Sequence, residues 1–120
     1  MSVINNTQGI TDYCYKMRRE LHKIPEFAFK EIHTSDFVAE ELQSMGYKVR
    51  RNVGVTGLTT VFDSGIPGNT VLLRFDMDGL PIPEETGLSF ESQNKGAMHA
   101  CGHDGHMAIG LSIARYLAQN

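Results

Sequence analysis

The residues Met98-His99-Ala100-Cys101-Gly102-His103-Asp104-Gly105-His106-Met107-Ala108 gather three imidazoles, a thiol and a carboxylate, spaced by glycines. The run Ile109-Gly110-Leu111-Ser112-Ile113-Ala114-Arg115-Tyr116-Leu117 follows and reads as a mostly buried helix. The cluster therefore stands at a loop-to-helix junction, where backbone N–H groups and a partial positive charge favour thiolate over thiol. Cys101 and His103 are the candidate metal ligands, because a thiolate and a neutral imidazole both suit zinc and similar divalent ions. Two residues apart in an extended loop, they can point to the same side. A Cys-x-His pair alone is a weak signal, since a buried free cysteine beside a surface histidine explains it as well. The density of His99, Asp104 and His106 around the pair favours a metal.

A second cluster, Asp76-Met77-Asp78, follows the apolar run Thr70 to Phe75. If that run is a central strand, the two aspartates share one side at its C-terminal end, where open α/β sheets hold ligands. Two carboxylates on one face repel unless a cation, an arginine or a proton separates them. A surface turn rich in aspartate is the plainer alternative. A carboxylate that fixes the tautomer of a metal-bound histidine is a role that fits.

The elements that must position these groups can be read in order. Ile10, Cys14, Met17, Leu21 and Ile24 recur at helical spacing, with Thr11 or Asp12 as a cap and Pro25 as the stop. A second helix is expected from about His33–Ser35, capped by Thr34 or Ser35, with Phe37, Val38, Leu42 and Met45 inward. Gly46 stands where a helix-terminating glycine belongs. Tyr47 to Asn52, Leu58 to Phe62 and Thr70 to Phe75 read as strands, with turns at 54–57 and 63–69.

The chain has 120 residues, enough for one core and at most one domain. A net charge of −3 gives no reason to expect nucleic acid, and Lys48, Arg50 and Arg51 read as a solvated strand end. No apolar run is long enough for a membrane span, and the polar start, residues 1–8, does not resemble a secretory signal. Two cysteines, Cys14 and Cys101, make no disulfide framework and fit a reducing, cytoplasmic setting.

Four motifs occur together and in order: Leu21-His22-x-x-Pro25-Glu26, Gly54-Val55-Thr56-Gly57, Arg74-Phe75-Asp76-Met77-Asp78-Gly79-Leu80-Pro81 and Met98 to His106. In this the chain resembles the metal-dependent amidohydrolases of N-acyl amino acids: aminoacylase-like, hippurate and auxin-conjugate hydrolases, relatives of the co-catalytic metallocarboxypeptidases. The resemblance implies an α/β fold, the N-terminal portion of a zinc-peptidase-like catalytic domain with a mixed sheet flanked by helices. Residues 1–120 would be one truncated unit without the lid and dimerisation domain. It implies two divalent ions (zinc, manganese, cobalt or nickel) and a small N-acyl amino acid substrate.

By the same resemblance Cys101 is the thiolate ligand, His103 the next ligand in the loop, and Asp78 the supporting aspartate. Asp76 stands where carboxypeptidase relatives have a histidine ligand. Asp104 and His106 would have supporting roles. Phe75 and Gly79 replace small alanines usual in the motif. Family members also carry, after this loop, a paired Glu-Glu that supplies the general base and a ligand, and later histidines. None of these is in the 120 residues. Glu84 and Glu85 precede the loop and are poor substitutes. The expectation is weak or no activity for this chain alone. A non-catalytic module that binds metal or a partner is the alternative. An uncovered sheet edge would favour dimerisation or aggregation.

Overall fold

The computed structural model describes residues 7–120, so most of the polar start lies outside the described residues. Three helices and a small sheet make up the regular structure: α1 (Thr7–His22), α2 (Ile32–Ser44), β1 (Arg50–Val53), β2 (Gly57–Thr59) and α3 (His103–Gln119). The core is helical. Tyr13, Met17 and Leu21 recur every fourth residue on α1 and meet Met107, Ala108 and Leu111 of α3, with Val38 and Leu42 of α2 closing the cluster. Met17 and Leu21 are inward as read in the sequence, whereas Cys14 packs at the edge of the cluster and Tyr13 takes the central place. Tyr13 is buried, and its hydroxyl donates to Glu41 at 2.8 Å while Arg115 lies 4.4 Å over its ring. Burial and the Glu41 carboxylate both push its pKa well up.

The helix ends show which local signals decide. Gly46 has φ +91°, its N–H donates to Gln43 O at 2.9 Å, and Tyr47 N–H donates to Leu42 O at 3.1 Å. That pair of bonds ends α2 as expected for a glycine just past a helix. The start of α2 differs from the expectation. Thr34 and Ser35 lie inside the helix, and the residue before it, Glu31, makes no side-chain cap. Glu26, eight residues upstream of Thr34, caps instead: its carboxylate accepts from Thr34 N–H at 2.7 Å, Thr34 Oγ1 at 2.7 Å and His33 N–H at 3.2 Å. Nor do Thr11 and Asp12 cap α1, which is already helical at Thr7.

The sheet is antiparallel, pairing Arg50 with Thr59 and Val53 with Gly57 around an irregularity. Thr70 to Phe75, expected as a central strand, pairs with no described residue, and Val71 and Leu72 are 78% and 85% exposed. A strand exists only through its hydrogen-bonded neighbours, and an apolar sequence cannot supply them by itself. The segment still delivers Asp76 and Asp78 to the loop before α3. Leu80 and Met98 exchange two backbone hydrogen bonds, of 2.8 and 3.0 Å, which ties the aspartates to that loop.

The two departures from small alanine have packing roles. A Cβ on Gly79 would stand 2.8 Å from Pro25 Cβ, so the glycine lets the turn after α1 press against this strip. A Cβ on Gly110 would stand 2.7–3.0 Å from the Phe75 ring, which therefore lies directly on α3. Gly110→Ala is expected to destabilise the chain by about 1–3 kcal/mol through overpacking. The loss should shrink in a Phe75→Ala background, as read by urea titration of both variants.

Candidate metal centre

His103 opens α3, after Gly102 at φ +85° turns the chain into the helix. Its Nδ1 lies 2.9 Å from the Asp78 backbone carbonyl and 3.0 Å from Asp78 Oδ1. A carbonyl oxygen only accepts, so Nδ1 carries the hydrogen and the neutral ring keeps its lone pair on Nε2. Nε2 lies 4.0 Å from Asp76 Oδ2. The ring of His106, one turn along α3, stacks on that of His103 at 5.5 Å. Asp76, His103 and His106 each offer a donor atom within 4.8 Å of the others. That oxygen-and-nitrogen donor set suits a divalent metal ion. Asp76 is paired with Arg74 through both guanidinium nitrogens, which is how the two aspartates are kept apart from mutual repulsion here.

The structure thus brings His103 together with Asp78. It also brings Asp76 and His106, read as supporting groups, within ligand range of His103. Cys101 is a free, exposed thiol in the turn before α3 and joins no group of three donors among the described residues. Asp104 faces the other way, into the protein, and is 1% exposed.

Behind the loop, Asp104 belongs to a buried polar network whose other members, His22, Arg18 and Glu84, the sequence does not tie to it. His22, 2% exposed at the end of α1, places Nδ1 2.6 Å from Asp104 Oδ2 and Nε2 3.0 Å from Glu84 Oε1. Arg18 Nε reaches the same Asp104 oxygen at 2.8 Å. Glu84 also accepts from Thr86 Oγ1 and from the Ser92 N–H, each at 2.6 Å. Burial pushes the Glu84 carboxyl up, but the bonds from Thr86, His22 and Ser92 outweigh it and hold it at about 2. The available signal was the four-residue spacing of Arg18 and His22 beside Leu21, which puts both on one flank of α1.

That depression fixes a pH dependence. A carboxyl held below its ordinary 4.5 stabilises the fold at pH values above 4.5 and loses that contribution as pH falls toward 2. The stability gap between wild type and Glu84→Gln should be widest above pH 4.5 and should close toward pH 2, measured by denaturant titration at each pH.

His99 is buried at 3% exposure, and neither ring nitrogen bonds to a described residue. Burial, above all, holds its pKa below the ordinary value, against the pull of the Asp104 carboxylate.

Residues 72–120 match the peptidase family M20/M25/M40. The chain belongs to this family of metal-dependent hydrolases, as the part that its motifs mark as N-terminal. Among its relatives, the thermostable carboxypeptidase 1 of Saccharolobus solfataricus is 44% identical over 97% of this chain and 30% of its own length. The N-acetyldiaminopimelate deacetylase of Priestia megaterium is 47% identical over 88% of this chain and 28% of its own length. A dinuclear metal-binding M20 peptidase of Bacillus subtilis superposes with a TM-score of 0.86 at 34% identity, over 93% of this chain and 32% of that one. The chain thus spans about 30% of the length of the relatives it matches, and its fold is the corresponding part of their α/β domain.

Proposed function

We propose that this chain is the metal-holding part of a hydrolase that cleaves the amide bond of N-acyl amino acids or similar small amides. The observation that carries the reading is His103: its Nδ1 is fixed by Asp78, and its free nitrogen lies on the side of Asp76 and His106. Two divalent ions would complete the site. Their chemistry, when bound, is to acidify a water and polarise the amide carbonyl. His103 and Cys101 would hold metal, with Asp76 and His106 near enough to join. Asp76 must then exchange its Arg74 partner. Asp78 keeps the His103 tautomer.

The general base is a different matter. Glu84 is committed to His22, Thr86 and Ser92, so it is not free to take a proton from a water at the site. That commitment favours a second reading for these 120 residues alone: metal binding without turnover, the base lying in a part of the enzyme outside this sequence. In either reading we place the chain in the cytoplasm as one unit, in keeping with its two free cysteines. The exposed Val71, Leu72 and Leu73 favour homodimers, which light scattering would detect.

The test is metal analysis after dialysis against zinc or manganese, followed by assay on N-acetyl amino acids and hippurate. Stoichiometric metal, weakened by Cys101→Ser, is expected. A chain that retains no metal overturns the proposal. Turnover above that of free metal, lost in Cys101→Ser, excludes the non-catalytic reading.

A further inference from the structure

Two neighbouring residues of α3 are held from opposite sides by mirror-image pairs. The His103 imidazole is held by a carboxylate, Asp78, on the metal side. The Asp104 carboxylate is held by an imidazole, His22, on the core side. The second pair is the more deeply buried: His22 is 2% and Asp104 is 1% exposed, against 14% and 31% for His103 and Asp78. It also reaches further. His22 joins α1 to α3 through Nδ1 and to the 84–92 loop through Nε2. Arg18 adds a second bond to Asp104, and Arg18 and the edge of the His22 ring both pack on Phe90. Asp104 Oδ1 accepts in turn from the Gly105 N–H at 2.9 Å, so the clamp grips the first turn of α3 itself.

We propose that His22 is a positioning residue for the metal loop. Through Asp104 it fixes the rotation of the first turn of α3, and with it the direction in which His103 and His106 present their nitrogens. This rests on the metal-binding reading above. His22 makes no hydrogen bond to a candidate ligand; its bond toward α3 is the one to Asp104, with the His99 ring 6.4 Å from its own. Outer partners of metal ligands typically contribute roughly tenfold to a hundredfold in metal affinity. His22 lies one residue further out and earns a value at the lower end of that range.

Two substitutions separate positioning from simple support of the fold. Asparagine places its amide nitrogen near the place of Nδ1 and can still donate to Asp104. Glutamine places its nitrogen near the place of Nε2 and can still donate to Glu84, but leaves Asp104 with Arg18 alone. Both remove the ring from its contact with Phe90. The experiment titrates the full chain with cobalt(II), reading affinity and the visible absorption that reports coordination geometry, beside the thermal midpoint of each metal-free protein. His22→Asn should bind cobalt within about threefold of wild type. His22→Gln should bind roughly tenfold more weakly with an altered spectrum, although both variants melt lower. Equal cobalt binding by wild type and both variants, with unchanged spectra, overturns the inference and leaves the metal site standing. So does weakening that merely follows the loss in melting temperature. If wild type itself binds no cobalt, the metal-binding reading fails, and this inference with it.

Discussion

Asp104→Ala is expected to remove a large share of the chain's stability and to lower its melting temperature steeply. The carboxylate is 1% exposed and accepts from His22 at 2.6 Å, Arg18 at 2.8 Å and the Gly105 amide at 2.9 Å. Removing one partner of a buried ionic pair costs about 3–5 kcal/mol, because the groups left behind stay desolvated and unpaired. A domain of this size has a total stability of about 5–15 kcal/mol, so the loss is a large share of it. Arg18 can turn toward water, since its side chain is 39% exposed, but His22 cannot. The double variant His22→Leu/Asp104→Leu should therefore be more stable than Asp104→Ala, although it changes more atoms. Circular dichroism melts of the two variants decide this. If Asp104→Ala melts within a few degrees of wild type, the buried network contributes little, and the account of the loop's support is wrong.

How much of this could be read before the structure depends on the range of each interaction. The ending of α2 was legible because a glycine with positive φ acts within four residues. The start of α2 was not, because its cap comes from Glu26, beyond an intervening turn. The apolar run at 70–75 shows the same limit from the other side. Its composition is that of a buried strand, yet pairing is a property of a second segment that the run cannot encode. At the site, Cys101, His103 and Asp78 stood out because their chemistry is dense in sequence. The link among His22, Arg18 and Glu84 did not: His22 stood in a motif and Glu84 in an acidic pair, but they are spread over more than sixty residues and nothing local joins them. The orphaned imidazole of His99 was visible as a residue but not as a problem, since burial is set by the packing of the whole loop.

His103→Ala should remove most of the chain's affinity for zinc or manganese, and the size of the loss in its neighbours tests why. In Asp78→Asn the backbone carbonyl of residue 78 still accepts from Nδ1, so the tautomer survives and only the carboxylate's contribution to ligand basicity goes. About tenfold weaker binding is expected there, the low end for a group that orients a metal ligand. Arg74→Ala should act with the opposite sign. Its guanidinium occupies both oxygens of Asp76 and places a positive charge beside the donor cluster, so its removal frees a ligand and lifts a repulsion. Titration calorimetry of the three variants at one ionic strength separates these effects. Tighter binding by Arg74→Ala with weaker binding by Asp78→Asn places the cation between Asp76 and His103. If Arg74→Ala changes nothing while Cys101→Ser abolishes binding, the ion sits instead at the thiol, and Asp76 serves only as the partner of Arg74.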